Sequence, residues 1–209
     1  MKKILIAVDA NKFNPGLPDF ACYLARLTRS NPTAVFLDKP VAEEIPVLKR
    51  ALGSSYVETV LASDIPGVRE KKELQVKNAQ LYKEIFDNNG LGCLQQQVHG
   101  APLTELIAES RFADALVVDP QTSFEEKTDE VPTRFVKEVL SKSECPVIIA
   151  PFSFYGIDEI VFAYDGSCSS MFAMKQFVQL FPDFRNTKVT VLQVAEKESI
   201  PQGDKEKVL

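Results

Sequence analysis

Lys3-Ile4-Leu5-Ile6-Ala7-Val8-Asp9 opens the chain with a continuous apolar run that ends on a carboxylate. Alternation of apolar and polar residues would mark a strand with one wet face. An unbroken run of this length marks a strand buried on both faces, as in a parallel sheet. Ala34-Val35-Phe36-Leu37, Ala115-Leu116-Val117-Val118 and Val147-Ile148-Ile149-Ala150 have the same character, and each is separated from the last by helical spacing.

The segments between them read as helices. Asn11, Asn14, Pro15 and Gly16 form a loop, after which Pro18 is expected to open a helix with Ala21, Leu24, Ala25 and Thr28 at helical spacing. A polar helix is expected over 68–88, with Ala79, Tyr82, Ile85 and Phe86 on one side and Asn88-Asn89-Gly90 as its stop. Cys93 to Val98 reads as a strand, and its three glutamines predict an edge. Leu103, Leu106 and Ile107 line the inner side of a helix begun at Pro102. Phe135, Val136, Val139 and Leu140 form the stripe of another begun at Pro132. Residues 39–65, punctuated by Pro40, Pro46 and Gly53, are expected to be a long irregular connection with one short helix. Strands alternating with helices imply right-handed crossovers and a parallel sheet covered on both faces, in a domain spanning 1–151.

The opening motif then recurs. Ile160-Val161-Phe162-Ala163-Tyr164-Asp165 matches Ile4 to Asp9 at an offset of 156, with Ile, Ala and Asp identical. A helix with Phe172, Ala173, Phe177 and Leu180 on its apolar side follows, and Val189 to Val194 repeats the second strand. This second copy holds residues 156–209, a β-α-β piece too small to cover its own sheet. The expectation is a truncated piece of a tandem protein.

Composition narrows the function classes. A formal net charge of −5 and the lack of a Lys/Arg cluster argue against nucleic acid as a partner. No run approaches the ~20 apolar residues of a membrane span, and the run after Met1-Lys2-Lys3 is too short for a secretory signal. A cytoplasmic location is expected. Cys22, Cys93, Cys145 and Cys168 form no C-x-x-C pair, and with the single His99 they offer no zinc set. They read as free thiols in a reducing compartment. His99 reads as a strand-end residue without an assignable partner for base catalysis.

Four stretches together resemble the universal stress protein family: Lys3 to Asp9, Gly100-Ala101-Pro102 with its helix and Ala113-Asp114-Ala115-Leu116-Val117-Val118, Cys145-Pro146-Val147-Ile148-Ile149, and Ala163-Tyr164-Asp165-Gly166-Ser167. The resemblance implies a five-stranded parallel sheet in the order 3-2-1-4-5, stress-linked and mostly non-catalytic roles, and pairing of domains through the fifth strand. For this chain that means a homodimer or an intramolecular pair through Val147 to Ala150.

In such a sheet the ligand crevice opens at the carboxyl ends of strands one and four. Candidate residues there are Asp9, Ala10 and Asp119, with Asp165, Gly166 and Ser167 as their counterparts in the second copy. Nucleotide-binding relatives carry a glycine-rich loop after strand four. Here no glycine occurs from Ala101 to Tyr155, and five carboxylates face one lysine between Asp119 and Glu130. The first domain is therefore expected not to bind ATP, which is admitted only by a completed second domain. Asp9 and Asp119 are expected to cap their own loops in preference to sharing Mg²⁺, and Ser169 or Ser170 to be a plain N-cap. The competing class is a nucleotide-dependent enzyme of the ATP pyrophosphatase type. It wants a serine/glycine phosphate loop after strand one, where this chain has Asp9-Ala10-Asn11-Lys12. A response-regulator receiver wants paired acids after strand one and a lysine after strand five, where this chain has Ala10 after Asp9 and Pro151 after Ala150.

Overall fold

The computed structural model describes residues 2–51, 54–98, 100–125 and 130–193. The chain divides into two units, Met1–Phe154 and Tyr155–Leu209.

In the first unit the strands β1 (Ile4–Asp9), β2 (Thr33–Leu37), β5 (Leu94–Gln97), β6 (Ala115–Val118) and β7 (Val147–Ile149) form one parallel sheet in the order β5-β2-β1-β6-β7. That is the 3-2-1-4-5 order that the family resemblance implies, with the glutamine-bearing β5 at one edge and β7 at the other. The three central strands are buried at every position. The reason is coverage from both sides. Leu5, Ala7, Val35, Leu37, Leu116 and Val118 pack with Leu106 of α3 (Pro102–Ser110) and Val136 and Val139 of α4 (Arg134–Lys142). Strand alternation turns Ile4, Ile6 and Val8 to the opposite face. There α1 (Gly16–Thr28) buries Phe20, Ala21, Leu24 and Ala25, and α2 (Pro66–Asn88) buries Tyr82 and Phe86.

In the first unit local expectations are corrected at three places. Residues 39–65 are not irregular: β3 (Glu44–Ala51) and β4 (Ser54–Leu61) form an antiparallel hairpin, followed by one 3-10 turn, Ala62–Asp64. Pro46 is accommodated because it lies on the outer edge of β3, where no ladder bond is lost. Helix α1 begins at Gly16, so Pro18 is its third residue and not its first. The first-turn N–H groups have no helical partner in any case. Leu140 is half exposed, leaving Phe135, Val136 and Val139 as the stripe of α4 that reaches the core.

The second unit contains β8 (Glu159–Ala163) and β9 (Lys188–Leu192), paired in parallel, joined by α5 (Cys168–Leu180). Here the expected apolar side of the helix is rotated. Phe172 is 62% exposed, while Met174 and Leu180 are buried. Phe177 anchors the packing, with Phe162 at 5.4 Å, Phe181 at 5.1 Å and Phe184 at 5.8 Å between ring centroids. A two-stranded sheet covers only a narrow stripe of its helix, so Phe172 and Ala173 stay outside it. No helix among the described residues is long and apolar enough to cross a membrane.

Candidate functional site

The carboxyl ends of β1 and β6 lie side by side, as the register Ala7 with Val118 requires. They frame a cavity of about 650 Å³ lined by Asp9, Lys12, Asn14, Tyr82, Asp119 and Thr122 among others. The sequence places Asp9, Ala10 and Asp119 here; the structure brings Asp9 and Asp119 to this cavity, while Ala10 lines the neighbouring one.

Each aspartate is committed to its own loop. Asp9 Oδ1 accepts from the Asn11 backbone N–H at 2.9 Å, and Asp119 Oδ1 accepts from the Gln121 N–H at 2.8 Å. These are the Asx turns expected of them. Asp119 Oδ2 accepts a second bond from the Asn14 side-chain amide. Ala10 offers no free backbone group: its N–H donates to Leu37 O at 3.0 Å and its carbonyl accepts from Asn78 Nδ2 at 2.9 Å.

Two carboxylates and one lysine set the charge of the crevice. Burial pushes the Asp9 carboxyl above its ordinary value, against the pull of the Asn11 N–H and Lys12, and Asp38 adds to the rise. Lys12 lies 4.0 Å from Asp9 with most of its side chain in solvent. The Tyr82 ring meets Phe13 edge-on at 5.5 Å and Phe36 at 5.7 Å. Its burial, and then the charges of Asp119 and Asp9, push its hydroxyl pKa up, so it remains a neutral phenol.

The loop after β6 is fastened at both ends. Thr133 N donates to Pro120 O at 3.1 Å. The Thr133 hydroxyl donates to Thr122 O and accepts from Val136 N, capping α4. Phe124 packs edge-on against Phe135 at 4.9 Å. The first-turn N–H of α4 that Thr133 receives is thereby already satisfied. Residues 126–129 of the loop, and His99, lie outside the described residues.

Sequence reasoning missed a second group beside the crevice. Asp38, at the end of β2, accepts from Asn11 Nδ2 at 2.8 Å and Gln75 Nε2 at 2.7 Å, and pairs with Lys71 at 2.7 Å. Burial would raise the Asp38 carboxyl, but the bonds from Lys71, Asn11 and Gln75 outweigh it and hold it below its ordinary value. Beyond it lies a cavity of about 800 Å³ walled by Phe36, Val68, Val76, Val98 and the base of the hairpin. The signal was present: Lys71, Gln75, Asn78 and Tyr82 recur at i, i+4, i+7 and i+11 of α2, one stripe of a helix.

In the second unit Asp165, Gly166 and Ser167 form the turn into α5. Asp165 accepts from Ser167 N at 2.9 Å, and hydrogen bonds from Ser167 and Ser170 hold its carboxyl down to about 2. Gly166 has φ +82°, a left-handed conformation that glycine adopts without penalty. The cap of α5 is Ser167, whose hydroxyl accepts from Ser170 N at 3.1 Å, and not Ser169 or Ser170. The Asp165 turn sets Ser167 at the extended backbone position that an N-cap needs. Among the described residues no cluster of three or more His, Cys, Asp or Glu side chains stands ready for a metal ion.

No protein-family model matches the chain, and no curated protein matches it. Solved structures do. One universal stress protein from Archaeoglobus fulgidus DSM 4304 aligns over 98% of this chain and 70% of its own, at 16% identity and a TM-score of 0.62. Another universal stress protein from Archaeoglobus fulgidus aligns over 72% of this chain and 99% of its own, at 15% identity and a TM-score of 0.50. At these identities the likeness is one of fold: the chain has the universal stress protein fold.

Proposed function

We propose that the chain is a non-catalytic binding or regulatory protein of the universal stress type, working in the cytoplasm, whose first unit does not hold ATP. The observation that carries this reading is the state of the crevice between β1 and β6. Its two carboxylates stand where a triphosphate would need positive or neutral groups. The hydroxyl at the start of α4 is committed to the protein's own backbone. The close backbone approach that glycines give to phosphate oxygens is missing from the sequence of this loop. No nucleophile, base and orienting group converge there among the described residues, so turnover is not expected.

Pairing with another domain of the same fold through the free edge of β7 belongs to the same reading, as does the absence of nucleic acid and membrane as partners. A sheet edge that ends on Ile149, 40% exposed, presents unpaired backbone groups to such a neighbour.

The test is direct. Protein purified without added nucleotide is denatured, and the supernatant is chromatographed for released nucleotide. The native protein is then melted with ATP, with and without Mg²⁺, and assayed for hydrolysis and adenylate transfer. An empty supernatant, an unmoved melting temperature and no turnover are expected. Stoichiometric ATP, or turnover, defeats the reading.

A further inference from the structure

The hairpin of β3 and β4 is eight residues on each strand, with no third strand on either side of it among the described residues. A two-stranded ribbon in water is marginal at best, and its long edges are open to pairing. Ile45, Val47 and Val60 are half-buried on one face, but the apolar residues of the other face are turned outward. Leu48 and Val57, directly opposite one another, are each 66% exposed, and Leu61 and Tyr56 are 54% and 46% exposed.

The ladder shows which edge is usable. Ala62 N donates to Glu43 O at 2.8 Å, which makes Glu43 and Ala62 a hydrogen-bonded pair one step beyond Glu44 and Leu61. In an antiparallel ladder such pairs alternate with pairs whose N–H and C=O point away. Ile45, Val47 and Lys49 therefore bond to β4, while Glu44, Pro46, Leu48 and Arg50 face outward. On β4 the outward positions are Ser55, Val57, Thr59 and Leu61. The outer edge of β3 is broken by Pro46, which has no N–H to give. The outer edge of β4 has every donor and acceptor, and only one charged residue, Glu58, on the strand.

We propose that this arm joins two copies of the chain, by antiparallel pairing of β4 with β4 of the second copy about a twofold axis at Val57. An edge of this kind is self-complementary, as a twofold contact requires. Charge selects the register among those that set outward residues face to face. An axis at Glu58 would oppose two carboxylates, which is unfavourable. An axis at Thr59 sets each Glu58 against Val60. An axis at Val57 places Val57 on Val57, Ser55 on Thr59, and each Glu58 beside the Tyr56 of the second copy. Glu58 keeps its own Lys49, 2.8 Å away. Leu48, Val57, Val57 and Leu48 then make one apolar row across a four-stranded sheet whose two outer edges each carry Pro46.

Amide exchange by NMR reads the pairing directly. In concentrated protein the Val57 and Thr59 amides are expected to exchange many-fold slower than the outward Leu48 amide, and to lose that protection on dilution. Light scattering should report a dimer on the same samples. In the Ile149→Lys background, which closes the β7 edge, Val57→Pro removes an outward donor without touching a bond inside the hairpin, and should give monomer. Leu48→Pro makes the same backbone change on the unused edge and should leave the dimer. Ile149→Lys, on the edge of β7, should leave the Val57 and Thr59 protection intact. Val57 and Thr59 amides as fast as Leu48 at high concentration, a dimer of the Ile149→Lys, Val57→Pro double variant, or protection abolished by Ile149→Lys overturns the proposal.

Discussion

Asn14 and Asp119 stand 105 positions apart in sequence and share a 2.5 Å hydrogen bond, the Asn14 amide donating to Asp119 Oδ2 across the mouth of the crevice. Asn14 Oδ1 at the same time accepts from Gly16 N at 3.0 Å, so one side chain ties the loop before α1 to the loop after β6. A hydrogen bond to a charged group contributes about 1.5–3 kcal/mol, and Asn14→Ala is expected to lower unfolding free energy by that order in urea titration. Asn14→Asp sets a second carboxylate against Asp119. It should be the more damaging change at neutral pH, and its deficit should shrink as the pH falls. Equal deficits for the two variants across pH would show that Asp119 is not the partner that matters.

Asp9 makes the opposite kind of contribution. Its folded-state pKa lies above the ordinary value of 3.8, chiefly through burial. The folded protein therefore binds this proton more readily than the unfolded chain, and stability falls as pH rises through the window between the two values. Asp9→Asn keeps an oxygen for the Asn11 N–H and removes the ionisation. The variant should melt higher than the parent at neutral pH, with the advantage fading to nothing below the ordinary carboxylate range. The pair with Lys12 does not reverse this, because an exposed pair at 4.0 Å is worth little. A variant that melts lower at neutral pH would show that the turn, and not burial, dominates at Asp9.

Thr133 is 3% exposed and makes three bonds at once, to Pro120, Thr122 and Val136. Loss of an N-cap hydroxyl costs about 0.5–2 kcal/mol, and Thr133→Ala is expected near the upper end because Thr122 O loses its donor as well. Thr133→Ser should recover most of the loss. The check is the urea midpoint of the two variants. A Thr133→Ala protein as stable as the parent would mean that the loop after β6 is held by the Thr133 N–Pro120 O bond and Phe124 without the hydroxyl.

The buried sheet was legible because its central strands are apolar at every position, and that pattern is a property of consecutive residues. The edge at β5 was legible from Gln95, Gln96 and Gln97. The hairpin was not. Pro46 reads locally as a break, and with apolar residues on both faces, Ile45 and Val47 half-buried on one and Leu48 and Val57 exposed on the other, the alternation of apolar and polar residues is lost. The helix α5 misled for a related reason: Phe172 and Phe177 are equally apolar in sequence, and only the width of the sheet beneath decides which of them is covered. Asp9 and Asp119 declared themselves as polar residues ending apolar runs. Asn14, Asp38 and Gln75 did not, since what marks them is a partner far away in the chain. A separation of 27 positions for Asn11 and Asp38, or 105 for Asn14 and Asp119, leaves no trace in local spacing.

Asp38 gathers Lys71, Asn11 and Gln75 into one network, and Gln75 also donates to Asn11 Oδ1 at 3.0 Å. Because the Asp38 carboxyl is held below its ordinary value, its ionised form stabilises the fold above that value. The contribution is lost as pH falls through the depressed one. Lys71→Met is expected to cost about 0.5–1 kcal/mol at neutral pH, the upper range for a partly exposed pair, and to flatten the acid limb of the stability curve. Gln75→Leu removes two bonds at once and leaves Asn11 and Asp38 each short of a donor. If the four side chains act as a unit, the double variant Lys71→Met, Gln75→Leu will depart from the sum of the single losses by about 0.5 kcal/mol or more in a double-mutant cycle. Additivity within about 0.3 kcal/mol would mean that Lys71 and Gln75 hold Asp38 independently.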